Sequence, residues 1–304
     1  MRFARCSFCL LLIFLLASCA KPGVDDQSGS KTPTPSASTQ GEWNGEMAAQ
    51  AYNNAHQVAE ADLVESVEIT SGALNAVFDK QNDRILVTVT MSDDGTLEAV
   101  KNEASGKKQE TMKADTVNVA GLFEKYWQAS HCPQALGGMT IKNNAFDLAT
   151  VEVPYCGDQQ MLSRTFLMSD GVELGTRDLS QADVLATEFA KLTGKLPENI
   201  QGFQISVNPN SYTPPQTRYS YKNDGESEQL IISNKVEVTS NKGGEPDSFP
   251  LADLNAEDIA SCLVKAGIDG DKNWTFQVVA NNGEINYVIT QDTTQRFQKG
   301  CQPK

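Results

Sequence analysis

Arg84-Ile85-Leu86-Val87-Thr88-Val89-Thr90-Met91 is the stretch on which the fold turns. Its β-branched residues alternate with period two, the pattern of a strand with one buried face. Asp93-Asp94-Gly95 follows as a turn, and Thr96–Glu103 reads as the returning strand of a hairpin. Before it come an alternating segment, Val64–Thr70, and an alanine-rich helix over Met47–Leu63. After it, Val119, Leu122, Phe123 and Tyr126 recur at helical spacing and predict a helix over about Val117–Ala129. Two further strands, Met139–Lys142 and Leu148–Pro154, lead to Cys156.

The second half runs through the same order. A helix is predicted over Gln181–Leu192, with Val184, Leu185, Phe189 and Leu192 on one face. Gly202–Val207 alternates, Arg218–Tyr221 is a strand, Asn223-Asp224-Gly225 a turn and Gln229–Thr239 the returning strand. Ala256–Ala266 reads as a helix with Asn255 as N-cap and Gly267 as its stop. Trp274–Val279 and Ile285–Thr290 form a hairpin across Asn281-Asn282-Gly283. Corresponding starts lie 134 to 137 residues apart: Met47 and Gln181, Val119 and Ala256, Met139 and Trp274. The expected fold is therefore α+β, with two similar units of antiparallel sheet plus helices, as an internal duplication would leave. They are placed at 43–157 and 158–304; Met161–Leu174 is an extra strand pair or linker outside the repeat.

The 304 residues carry 39 acidic and 25 basic side chains, a net charge of −14. That balance argues against nucleic acid as a partner, because phosphate binding needs clustered Lys and Arg. An apolar share of 39% suffices for ordinary cores and excludes a wholly disordered chain.

At the N-terminus, Arg2 and Arg5 precede a short apolar run, Phe8–Leu16, which is below the roughly 20 residues a spanning helix needs. It ends Leu16-Ala17-Ser18-Cys19, which resembles the lipobox of bacterial lipoproteins. The resemblance implies a signal peptide over 1–18, diacylation of the Cys19 thiol and acylation of its amine. Several acyl chains give stable anchoring where one would be reversible. Ala20 stands where an aspartate would mark inner-membrane retention, so the resemblance implies the outer membrane, with the membrane as partner through the lipid on Cys19. Residues 19–42, rich in Ser, Thr, Pro and Gly around Thr32-Pro33-Thr34-Pro35, read as a disordered tether. Loss of Arg2 and Arg5 takes the mature charge from −14 to −16. The order of elements resembles cystatin-like or helix-grip lipoprotein domains, an analogy of fold alone.

Of seven cysteines, Cys6 and Cys9 leave with the signal and Cys19 takes the lipid. Cys132, Cys156, Cys262 and Cys301 are left in an oxidising compartment. Four cysteines allow three pairings; Cys132–Cys156 and Cys262–Cys301 keep each bond within one expected domain. The spacings are too wide for a zinc ribbon, and only His131 lies near one of them.

No nucleophile elbow, zincin helix, P-loop or dinucleotide fingerprint occurs. His56 lies in a polar helix and His131 at a helix end. Ser105 and Lys108 make an isolated S-x-x-K without its companion motifs. Asp269-Gly270-Asp271-Lys272-Asn273 opens like a calcium loop, but Trp274 stands at the glycine position and Ala280 where glutamate is needed. Tyr126 and Trp127 adjoin on a helix, one to be buried and one to lean outward. Tyr212, Tyr219 and Tyr221 near Pro214-Pro215 fit either a ligand surface or sheet packing. The expectation is a non-enzymatic binding protein of the envelope, with no catalytic residues, cofactor or metal, and with a protein partner. Two narrower readings are an inhibitor or immunity-type protein that neutralises a basic envelope hydrolase, and an accessory of an envelope assembly complex.

Overall fold

The computed structural model describes residues 43–81, 83–127, 138–156, 161–211, 213–240 and 247–304. The signal, Cys19, the tether, His131, Cys132 and Tyr212 lie outside them. The fold is α+β, with four α-helices and two large antiparallel sheets among the described residues.

The first half opens with helix α1 (Gly45–Ala59). The Asn44 side chain caps it by accepting from Met47 N at 2.9 Å, and Ala48, Ala51, Tyr52, Ala55 and Ala59 form its buried stripe. Strands β1 (Leu63–Ile69), β2 (Ala73–Lys80), β3 (Asp83–Met91) and β4 (Leu97–Glu103) then form a meander. A short β5 (Met112–Lys113) pairs back to the start of β1. Helix α2 (Val119–Leu122) runs on as a wider π turn over Phe123–Trp127 and leads to β6 (Met139–Lys142), β7 (Thr150–Cys156) and β8 (Met161–Leu167). The sheet order is β4-β3-β2-β1-β6-β7-β8. Because β6 docks on β1 and not on the edge strand β4, the chain must cross back over the sheet, and α2 makes that crossing on the face α1 already covers.

The second half repeats the plan. After α3 (Ala182–Leu192) and β9 (Asn199–Ile200) come β10 (Gly202–Val207), β11 (Gln216–Asn223), β12 (Glu226–Ile232) and β13 (Val236–Ser240). Then follow β14 (Phe249–Pro250), α4 (Ala256–Lys265), β15 (Trp274–Asn281), β16 (Glu284–Thr290), β17 (Thr294–Gln298) and β18 (Gln302–Pro303). The order β13-β12-β11-β10-β15-β16-β17-β18 matches the first sheet strand for strand, with β18 added. The agreement reaches small features. Each crossing is preceded by a two-residue strand and a 3₁₀ turn, and each crossing helix is capped by an asparagine: Asn118 accepts from Gly121 N at 3.1 Å and Asn255 from Asp258 N at 3.0 Å.

Each unit is thus α-ββββ-α-βββ, one strand longer on both sides of the crossing than the sequence pattern suggested. Four elements account for the difference, one of them β17, which pairs with β16 where the sequence reading placed no strand. β2 alternates (Leu74, Ala76 and Phe78 are buried) behind a Ser71-Gly72 turn that the sequence reading did not use. Gln229–Thr239 is not one strand: Ser233 N donates to Lys235 O at 2.9 Å and folds it into β12 and β13. Met161–Leu167 is neither linker nor part of the second unit, but pairs with β7 as the edge strand of the first sheet. That sheet therefore runs past the expected boundary at 157. The predicted helix over Val117–Ala129 is regular α only across Val119–Leu122. Gly267 does end α4, at φ +68°.

Buried residues form two clusters, one per sheet. Leu148 and Leu167 come from the first sheet's side of the chain, yet they pack into the second cluster with α3, so the two sheets share a seam.

Candidate binding cavity at the seam

Helix α3 supplies the charge buried at that seam. Leu185, Glu188, Phe189 and Leu192 follow helical spacing and all are buried, so a carboxylate lies within an apolar stripe. An isolated buried charge is very costly, and Glu188, only 8% exposed, is fully engaged. Its Oε1 accepts from Thr217 Oγ1 at 2.5 Å and from Tyr219 OH at 2.6 Å, both on β11. Its Oε2 accepts from Arg177 Nη1. Arg177, 7% exposed, also donates from Nε to Leu174 O at 3.0 Å and from Nη2 to Ile232 O at 2.8 Å. Burial, reinforced by the Glu188 charge, pushes the Tyr219 phenol well above its ordinary range.

The segment 168–181 that carries Arg177 is pinned at several points. Arg164 Nε donates to Glu173 Oε1 at 2.9 Å, and Lys191 pairs with Asp170. Gly171 turns at φ +75°, where a Cβ would stand 2.6 Å from Lys125 Nζ and 2.9 Å from Tyr126 OH. Asp178 is partly buried, which raises its pKa, but hydrogen bonds from Ser180 and Gln181 outweigh this and hold the carboxyl below its usual range.

Between this segment, α3 and the end of the first sheet lies a cavity of about 400 Å³. Leu148, Leu167, Val172, Val184, Leu192 and Ile232 supply apolar wall, and Asp183, Thr187 and Lys191 also line it. The Arg177–Glu188 pair lines it as well, with its donors and acceptors turned to protein partners. Such a space suits an apolar group, oriented by a few polar atoms at its edge.

The residues singled out from sequence fall elsewhere. Cys262 and Cys301 form a disulfide, with Cα atoms 5.2 Å apart and a sequence separation of 39. Both are buried, and Lys265 Nζ donates to Cys301 O at 3.1 Å, so the C-terminal tail is fixed to α4. The Cys132–Cys156 pairing lies outside the described residues, although Cys156 ends β7 opposite Met161. Lys108 pairs with Asp79 at 2.6 Å, and the Ser105 carbonyl accepts from Arg84, which also forks onto the buried Glu65. This ties the S-x-x-K loop to the sheet through backbone and ion pairs. In the calcium-like loop, Asp269 Oδ1 accepts from Asp271 N at 3.0 Å and Lys272 pairs with Asp292 at 2.7 Å, the bonding of a polar turn. Among the described residues no group of three or more His, Cys, Asp or Glu is placed to hold a metal. His56 lies parallel to the Phe78 ring at 5.9 Å. Tyr219 and Tyr221 are core residues, 0% and 1% exposed, which decides for packing over an exposed anchor. Tyr126 is buried against Phe166 at 4.7 Å, while Trp127 stacks half-buried on Phe123. Among the described residues, no helix is long and apolar enough to cross a membrane.

Sequence reasoning passed over Arg177 and Glu188. The available signal was Glu188 itself, three residues after Leu185 and four before Leu192, on the face already read as apolar.

No family model and no curated protein matches the chain. Among solved structures, it is similar to the H. pylori β clamp in complex with diflunisal, at 12% identity and a TM-score of 0.17, over 84% of this chain and 60% of that one. It is similar to the β subunit of DNA polymerase from Streptococcus pyogenes at 11% and 0.15, over 83% and 61%. The proliferating cellular nuclear antigen of Entamoeba histolytica gives 10% and 0.15, over 79% and 89%. The chain spans about three-fifths of the length of the two bacterial proteins. Likeness at these TM-scores carries no argument about fold or function.

Proposed function

We propose that this protein is a lipid-anchored protein of the bacterial outer membrane that acts by binding, not by catalysis, and that the seam cavity receives an apolar group of its partner. The supporting observation is the state of the cavity's ionisable pair. Glu188 accepts from three donors and Arg177 donates to three acceptors, all within the protein, so the pair is committed to holding α3, β11 and the 168–181 segment together. What the cavity offers is shape and apolar wall. The anchor rests on Leu16-Ala17-Ser18-Cys19 and the tether behind it.

Two measurements test the two parts. Cys19→Ala, expressed in a Gram-negative host, leaves the membrane fraction; equal membrane association of wild type and variant overturns the anchor. The neutral dye N-phenyl-1-naphthylamine gains fluorescence on the wild-type protein, and Val184→Trp, which fills the cavity, abolishes the gain. Dye binding unaffected by Val184→Trp, in a variant with an unchanged melting temperature, overturns the cavity as the binding site.

A further inference from the structure

A second cavity, of about 380 Å³, opens at one end of the second sheet, and its chemistry is the reverse of the first. Ser206, Asn208, Gln216, Asn273, Thr275 and Gln291 line it, and no charged side chain does, in a chain of net charge −14. The register explains the floor. Gln216 on β11, Ser206 on β10, Thr275 on β15, Thr290 on β16 and Thr294 on β17 are successive cross-strand partners. They form one row of hydroxyl and amide groups across five strands, about 4.8 Å apart. Phe203, Ile205, Phe276 and Ile289 on the same strands are buried, so strand alternation turns this row to the face away from the helices.

Two loops wall the row. Asn210 Nδ2 donates to Asp271 O at 3.1 Å and joins 208–211 to 269–273, and Gln291 holds the second loop through Asp269 N and O at 3.2 and 2.8 Å. Pro214 adds apolar surface. Asn208 Oδ1 is buried without a hydrogen-bond partner, an acceptor that an incoming donor would satisfy.

We infer that this cleft binds a neutral oligosaccharide. Uncharged hydroxyls and amides, exposed in a row with the period of adjacent strands, match a ligand that presents hydroxyl donors and acceptors at regular intervals. Pro214 offers an apolar surface to the C–H face of a sugar ring. The cleft holds no fixed charge that would favour an ionic ligand, and its polar floor disfavours an acyl chain. This site is separate from the seam cavity, and either can fail without the other.

The test uses the full chain in a zwitterionic detergent, titrated with chitotetraose and maltotetraose by calorimetry and saturation-transfer NMR. At least one sugar is expected to bind saturably, with affinity falling tenfold or more in Asn208→Ala and in Thr275→Trp, and unchanged in Val184→Trp. Thr290→Tyr, at an exposed position of the same row, serves if Thr275→Trp lowers the melting temperature. Absence of saturable binding of both sugars, or binding that these cleft variants leave intact, overturns the inference.

Discussion

The Arg177–Glu188 pair is the residue-scale feature with the largest energetic stake. Replacing a buried pair by apolar groups can be neutral, but removing one partner strands the other, at about 3–5 kcal/mol. Glu188→Ala is therefore expected to lower the urea-unfolding free energy by about that much, since it orphans Arg177, Thr217 and Tyr219 together. Tyr219→Phe removes one bond and is expected to cost about 1 kcal/mol. The buried tyrosines carry a pH dependence of definite sign. Burial, with help from Asp258 and Asp253, raises Tyr287 from 10.0 to about 12, and burial raises Tyr52, Tyr219 and Tyr221 further. A phenol whose folded pKa lies above its unfolded value contributes stability that is intact below pH 10 and lost as pH rises through the folded value. Absorbance at 295 nm should show these phenols ionising well above pH 10, together with alkaline unfolding. Ionisation of every tyrosine near pH 10 with the fold intact would contradict this burial.

At the scale of elements, the Cys262–Cys301 bond closes a loop of 39 residues, which the chain-entropy estimate values at about 4 kcal/mol. Cys301→Ser is expected to lose stability of that order and to raise amide exchange in β17 and β18 more than in β10 and β11. Uniform exchange across the second sheet would mean that the tail is held by its strand pairing alone. How far each element was legible depended on local punctuation. The β3–β4 hairpin and the β15–β16 hairpin announce themselves by Asp-Gly and Asn-Gly turns between alternating runs. β2 follows the Ser71-Gly72 turn, a breaker the alternation reading passed over, whereas the break between β12 and β13 rests on Ser233-Asn234-Lys235, which holds neither glycine nor proline. The crossing segment of the first half has the apolar spacing of a long helix but coils as a short α turn and a π turn, a geometry that packing decides.

For the whole molecule, the seam couples the two sheets. Leu167 ends the first sheet yet lies 7% exposed in the second core. Leu167→Ala is expected to cost about 2–5 kcal/mol and to raise amide exchange in both sheets. A loss confined to the first sheet would show that the second core stands without it. The candidate site was least legible at this scale. Of the apolar residues that line the cavity, Leu148 and Leu167 come from one sheet's end and Ile232 from the other half, 65 residues beyond Leu167, a proximity that no local pattern encodes.

The sequence by itself determined the secondary elements with strong periodicity, the α+β class, the near-repeat of element order and the net charge. Each of these is written in residue type and short-range spacing. The tertiary structure alone decided that β6 and β15 return to the first strand of each meander, that Met161–Leu167 completes the first sheet, and that Glu188 finds Arg177, Thr217 and Tyr219. Strand order and the pairing of buried charges depend on contacts between distant segments, whose free energy exists only once the chain has closed those loops.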